Sequence, residues 1–68
     1  MENKGMRIAV QAFDVEMGWC NLNSRELKPG MSTEEQATYV TEIATLYDGW
    51  LRSDKYGVHA LRIHTEPL

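Results

Sequence analysis

The chain has 68 residues, 43% of them hydrophobic and 25% charged, and a net charge of −3 at pH 7. This length allows one domain, 1–68, and the mild acidity argues against a duplex-binding protein, whose affinity rests on neutralising phosphates. Apolar runs are only a few residues long and no secretory signal is visible. We therefore expect a cytoplasmic protein with no membrane partner.

Stabilising cross-links are scarce in this sequence. Its single cysteine, Cys20, excludes an internal disulfide and fits a reducing compartment. One cysteine and two histidines cannot complete a tetrahedral metal site without carboxylates. A domain this small buries roughly 60% of its unfolded surface, which is marginal for a monomer, so we expect no metal, no cofactor and a homodimer.

The first strand is predicted from an alternation that begins at Met6, after residues 1–5, which we expect to fray. The phase of the alternation changes after Ala12, because Phe13 is the next apolar residue. We interpret the change as a β-bulge or twist near Ala12–Phe13 within one long strand, and an edge strand with a loosely specified second half is the alternative. Apolar residues on the first phase are Met6, Ile8, Val10 and Ala12, and on the second Phe13, Val15 and Met17.

A turn at Gly18 and a weaker second strand over residues 19–27 come next. In this strand Cys20 and Leu22 should share one face, opposite Trp19, Asn21 and Asn23. Pro29 followed by Gly30 then predicts a type II turn, since proline presets φ and glycine tolerates a positive φ.

The helix is the clearest element. Ser32 and Glu35 form a capping-box pattern at its start, and Lys55 and Gly57 mark its predicted closing turn and C′ position. Gly49 falls on the polar face. Apolar residues at three- and four-residue spacing form its core stripe: Val40, Ile43, Ala44, Tyr47, Trp50 and Leu51.

The segment after the helix has the pattern of a strand that contains both histidines. His59 and His64 are five residues apart, an odd number, so in an extended strand they point to opposite sides of the sheet. They cannot chelate one ion together. We expect His59 on the face of Leu61 and Ile63, and His64 beside Arg62 on the other face.

These elements predict an α+β fold. It is a small ββαβ domain with a two- or three-stranded, mainly antiparallel sheet and one amphipathic helix packed on one face. An enzyme is not expected: Cys20 has no nearby base and is interpreted as a small buried hydrophobe, and phosphate-loop and dinucleotide fingerprints are absent.

The predicted function is protein binding. The apolar arc of the helix is about 160° wide, more than one small sheet needs to cover, and the sheet face away from the helix should be half apolar, with Val58 and Ala60. Single-helix domains of this size are a common format for inhibitory or accessory proteins, including those of phages and mobile elements. The residues predicted to contact the partner protein are Tyr39, Leu46, Tyr47, Trp50, Arg62 and His64.

Nucleic-acid binding is the alternative function. Arg52, Lys55 and Arg62 could gather near the end of the helix, with Tyr56 interleaved for stacking. Three cations in a net-acidic chain make a poor electrostatic funnel, so protein binding is preferred and nucleic acid is an unlikely partner.

Overall fold

The structure is a computed structural model that describes residues 4–68. Strand β1 (Met6–Asp14) and strand β2 (Gly18–Leu27) are followed by helix α1 (Thr33–Arg52), a 3₁₀ turn (Val58–Ala60) and strand β3 (Leu61–Pro67). The three strands form an antiparallel sheet in the order β2-β1-β3. The predicted ββαβ fold is confirmed, and so is the second strand.

The start of the described chain is held by its neighbours. The prediction that residues 1–5 fray lies partly outside the described residues, since residues 1–3 do. Gly5 has φ +88° and lies close to the carbonyl of Leu27. Its own carbonyl accepts a hydrogen bond from Leu68 N at 3.2 Å. A side chain at Gly5 would collide with the Leu27 carbonyl, which explains the glycine.

The core lies between the helix and one face of the sheet. Val10 and Ile43 are fully buried, with exposures of 0%. The helix contacts all three strands. The core cluster is Ile8, Val10, Ala12, Ile43 and Leu61, and the partly buried side chains around it are Leu22, Leu27, Leu46, Tyr47, Trp50, Leu51 and Tyr56.

The bulge in the sheet lies elsewhere than predicted. The β1–β2 register pairs Val10 with Asn23 and Gln11 with Asn21, so the extra residue is Leu22, on β2. The prediction of a bulge in β1 near Ala12–Phe13 is therefore wrong. The extra residue shifts the alternation of β2. We expected Asn23 on the face opposite Cys20, but it lies on the helix side of the sheet.

The apolar residues after Ala12 belong to a hairpin end. β1 stops at Asp14, whose Oδ1 accepts hydrogen bonds from Glu16 N at 2.8 Å and Met17 N at 3.0 Å. Gly18 follows with φ +77°. A three-residue loop closed by a residue in the left-handed region is a common hairpin connection. The change of phase thus marks a turn, not a slip within a strand.

The predicted type II turn and helix start are confirmed. Gly30 has φ +89°, and Met31 N donates to Lys28 O at 3.3 Å. In the capping box, Glu35 N donates to Ser32 Oγ at 3.1 Å, and Ser32 N donates to Glu35 Oε1 at 3.4 Å. Each side chain satisfies a backbone N–H that the first turn leaves unpaired.

The helix ends earlier than predicted. The last residue of the helix is Arg52. Ser53 caps the helix, and the backbone N–H of Ser53 donates to the carbonyls of Gly49 and Trp50. Asp54, not Gly57, has the positive φ, at +60°. A short polar side chain tolerates this left-handed conformation better than most residues do.

The last strand also begins later than predicted. Residues 58–60 form the 3₁₀ turn, so His59 is an exposed turn residue and does not share a strand face with Leu61 and Ile63. The carbonyl of Gly57 accepts a hydrogen bond from Ala60 N at 2.9 Å, which closes the turn. His64 remains within β3, paired with Ala9 of β1.

Candidate protein-binding surface

The helix lies across the sheet with two distinct flanks. Arg25 of β2 contacts Glu42 at 3.1 Å, and Asn23 of β2 contacts Trp50, so this flank lies over β2. By helical periodicity the opposite flank, which carries Val40, lies over β3. Val40 and Ile63 of β3 are 43% and 42% exposed. The helix therefore leaves part of β3 uncovered.

Trp50 is held firmly within the fold. Its indole N–H donates to Asn23 Oδ1 at 2.8 Å, its ring packs edge-on against Tyr56 at 5.7 Å, and Lys55 Nζ lies 5.9 Å from its ring centre. Leu46 and Tyr47 also pack against the core cluster. All four helix residues predicted to contact a partner, Tyr39, Leu46, Tyr47 and Trp50, are half-buried.

The sheet face away from the helix is mainly polar and internally bonded. Arg7, on the central strand, donates to Glu26 of β2 at 3.3 Å and to Glu66 of β3 at 3.0 Å. The hydrogen bonds to the carboxylates of Glu26 and Glu66 raise the pKa of Arg7 above its usual value. One row of three charges thus spans the whole sheet.

A second row on this face leads from polar groups to aromatic rings. Gln11 Nε2 donates to Asn21 Oδ1 at 2.8 Å, and Arg62 Nε donates to Gln11 Oε1 at 2.8 Å. The guanidinium of Arg62 lies 4.1 Å from the ring centre of Trp19, and Trp19 packs edge-on against Phe13 at 5.4 Å. Planar arginine stacked on tryptophan is a favourable pairing.

Two of the predicted contact residues lie on this face. Arg62 and His64 are there as expected, both half-buried. Val58 and Ala60, expected beside them, are in the 3₁₀ turn instead. The expectation of a half-apolar face is therefore wrong over most of its area, and its apolar part is concentrated at the Phe13–Trp19 end.

The largest apolar exposure of residues 4–68 is at the end of the β1–β2 hairpin. Val15 is 91% exposed, Met17 79% and Phe13 48%. Together with Trp19 and Arg62 they form a surface that we call the hairpin-tip patch. Isolated exposed hydrophobic residues are normal, but a concentrated patch of this composition is typical of a binding surface.

The hairpin-tip patch is absent from the sequence-based predictions. Its signal is the regular spacing of Phe13, Val15, Met17 and Trp19, a pattern that also fits the interior of a strand. Asp14 and Gly18, at the two ends of the loop, are typical of a turn. Giving these two residues more weight would place Val15 and Met17 in a loop.

The residues of the nucleic-acid alternative are brought together only in part. Lys55 lies near Trp50 and Tyr56, on the helix side of the sheet, and Arg52 is paired with Asp48 at 2.9 Å. Arg62 lies on the opposite face, over Trp19.

The residue types that hold metals and form nucleophiles are dispersed. Cys20 is half-buried, and its Sγ donates to Gly18 O at 3.7 Å. In the part of the chain that the structure describes, no three His, Cys, Asp or Glu side chains are grouped as metal ligands would be. Over the same residues, no helix has the length and apolar character needed to cross a membrane.

Comparisons with protein-family models, with curated proteins and with solved structures give no match for this chain. The candidate surface therefore rests on the geometry alone.

Proposed function

We propose that this chain is a protein-binding module that attaches to its target through the hairpin-tip patch and acts as an inhibitory or accessory protein. The observation that carries the proposal is the exposure of Val15 and Met17, at 91% and 79%, beside Trp19 and Arg62. Tryptophan and arginine are enriched among the residues that dominate binding energy, and methionine adapts to an uneven surface.

The hairpin supports the proposal because it presents these side chains in an ordered form. Asp14 holds two loop N–H groups, and Arg62 is fixed between Gln11 and Trp19. Binding then costs less conformational entropy than it would for a mobile loop. The helix residues Trp50 and Tyr47 offer less free surface, since their rings already pack against the core.

A cytoplasmic location and a phage or mobile-element origin belong to the same proposal. The first is supported by the single cysteine, which needs no oxidising compartment, and the second by the small single-helix format. An enzymatic role is not part of the proposal.

The test begins with capture of partners from nuclease-treated lysate on the immobilised protein, followed by titration of the isolated partner. Met17→Ser changes an exposed loop residue and should preserve the fold. Because it removes apolar contact area, we expect partner affinity to fall by about tenfold or more. Met6→Ser is the matched control, since Met6 lies at the other end of β1 and is also exposed.

Two results would contradict the proposal. Equal affinity of the wild type and Met17→Ser for the partner would remove the hairpin tip from the interface. No captured protein from the nuclease-treated lysate, together with salt-sensitive retention of nucleic acid from an untreated lysate, would favour the nucleic-acid alternative.

A further inference from the structure

The end of the β1–β2 hairpin projects beyond the third strand of the sheet. β3 pairs with β1 only as far as Leu61 opposite Ala12, whereas β1 and β2 remain paired as far as Asp14 opposite Gly18. Residues 13–19 therefore form a two-stranded ribbon that β3 does not extend. The 3₁₀ turn before Leu61 contacts β1, yet residues 13–17 are all exposed. The apolar side chains of the hairpin-tip patch thus all lie on a narrow projection.

A flat partner surface would find little to bind on this projection. A standard protein–protein interface takes about 800 Å² and about 20–30 residues from each partner, and residues 13–19 are far fewer. Beyond Phe13 and Trp19 the open face of the sheet continues as polar rows whose groups are bonded to one another. A concave surface contacts the loop end and both sides of the ribbon, so it buries a larger share of each residue. A target with a cleft therefore fits this patch best.

A cleft that encloses the loop also encloses Glu16. This residue lies between Val15 and Met17 and is exposed. Removing water from a carboxylate without supplying an opposite charge costs more than the apolar contacts beside it contribute. An apolar cleft that receives this loop must therefore bring a cation to Glu16. Within residues 4–68 the ion pairs involve other acids, namely Glu26, Glu42, Asp48 and Glu66.

We propose that the target holds the hairpin tip in an apolar cleft, and that a lysine or arginine side chain of the target pairs there with Glu16. The inference rests on the proposed function, because it specifies the partner of the same patch. The net charge of −3 favours the same kind of target, since it attracts a basic cleft before contact is made.

The residues of the patch have different places in this complex. Val15 and Met17 have the largest exposed fractions and enter deepest. Trp19 and Arg62, which stack at 4.1 Å at the base of the ribbon, meet the rim of the cleft. Asp14 accepts hydrogen bonds from two loop N–H groups, so the backbone that carries the charge is ordered before the target binds.

Removal of the charge tests for the cation. Glu16→Gln keeps the size of the side chain and changes an exposed residue, so the fold should be preserved. In titrations of the isolated partner at low salt, we expect Glu16→Gln to bind about tenfold or more weakly than the wild type, and Glu16→Lys more weakly still. Added salt should narrow the difference between the wild type and Glu16→Gln.

Glu34→Gln is the matched control for the charge. Glu34 is an exposed acid in the first turn of α1, away from the hairpin loop. Its replacement lowers the net charge by the same amount without touching the proposed cleft. We expect the affinity of Glu34→Gln for the partner to differ from that of the wild type by less than about twofold.

A larger side chain at the tip tests for the cleft. Val15 is 91% exposed, so tryptophan fits there in the free protein. In a cleft shaped around valine the indole collides with the walls, and we expect Val15→Trp to bind about tenfold or more weakly. On a flat partner the added apolar area would leave the affinity unchanged or raise it. Leu68→Trp is the control, since Leu68 is exposed at the opposite end of the sheet.

The outcomes separate this inference from the proposed function. If Met17→Ser weakens binding but Glu16→Gln binds like the wild type, the cation is overturned and the hairpin tip remains the interface. If Val15→Trp binds as tightly as the wild type, the cleft is overturned in the same way. Equal affinity of the wild type and Met17→Ser, or capture of no protein, would overturn both proposals.

Discussion

The guanidinium of Arg62 lies 4.1 Å from the ring centre of Trp19 while its Nε donates to Gln11 at 2.8 Å. One side chain from the last strand thereby joins the middle strand and the far strand. The aromatic end of the open face is held in position by this contact as well as by the packing of Phe13 on Trp19.

Replacement of Arg62 should destabilise the monomer measurably. Arg62→Ala removes the stacking on Trp19 and the hydrogen bond to Gln11, and we expect a loss of about 1–2 kcal/mol in the free energy of unfolding. The measurement is urea denaturation at a protein concentration where the chain is monomeric. Arg52→Ala is the control, because its exposed pair with Asp48 should contribute less than about 0.5 kcal/mol. Equal effects would contradict the assigned role.

Trp50 should act on stability more than on binding. Trp50→Phe keeps an aromatic ring near Tyr56 but removes the indole donor and leaves Asn23 Oδ1 without it. We expect a loss of about 1 kcal/mol in stability, with partner affinity unchanged. Urea denaturation and titration of the isolated partner provide the two values. If Trp50→Phe keeps its stability but binds the partner more weakly, the interface includes the helix, as the sequence analysis predicted.

Two glycines should respond in opposite ways to alanine. Gly49 lies within the helix, and a methyl group added there would point into open space, so Gly49→Ala should stabilise the protein by about 1 kcal/mol. Gly30 has equal space but φ +89°, so Gly30→Ala should cost about 1 kcal/mol through backbone strain alone. Thermal unfolding of both variants tests the contrast, and a destabilised Gly49→Ala would indicate a contact at that position.

The hairpin turn should weaken in acid. Hydrogen bonds from Glu16 N and then Met17 N lower the pKa of Asp14 below its usual 3.8. A lowered pKa in the folded state means that the carboxylate stabilises the fold fully above the usual pKa, and that this contribution is lost as the pH falls through the lowered pKa.

The measurement is unfolding of the wild type and Asp14→Asn as a function of pH. Asparagine keeps an oxygen acceptor for the turn but does not titrate. We expect the wild type to be the more stable of the two at neutral pH, with the difference shrinking below about pH 4. A difference independent of pH would contradict the role of the carboxylate.

Elements with local chemical signals could be predicted from the sequence. The capping box of Ser32 and Glu35 and the Pro29–Gly30 turn depend on neighbours within a few residues, and both are confirmed. The existence of each strand followed from alternation. The end of α1 and the start of β3 differ from prediction, because Gly57 is a better left-handed candidate than Asp54 by residue type alone, and the 3₁₀ turn has no strong local signature.

Features that depend on pairing between distant residues could not be predicted. The bulge at Leu22 is defined by which residues of β1 oppose it, and the weak alternation of β2 does not show it. Likewise, the sequence places Arg62 on a face but does not show that Trp19, on a different strand, lies beside it. The hairpin-tip patch depends on the same kind of distant contact.

Of the three strands, the middle one of the sheet is synthesised first, and one of its two neighbours is synthesised last. Gln11 and Arg62, which touch across β1 and β3, are 51 residues apart in the chain. On the ribosome β1 and β2 can pair early, but the buried side chains of β1 stay without their second neighbour until translation has passed β3. A frameshift or a premature stop codon before Leu61 would therefore release a chain with the hairpin and the helix but without β3, and the side of the core that β3 covers would be open to water and to proteases.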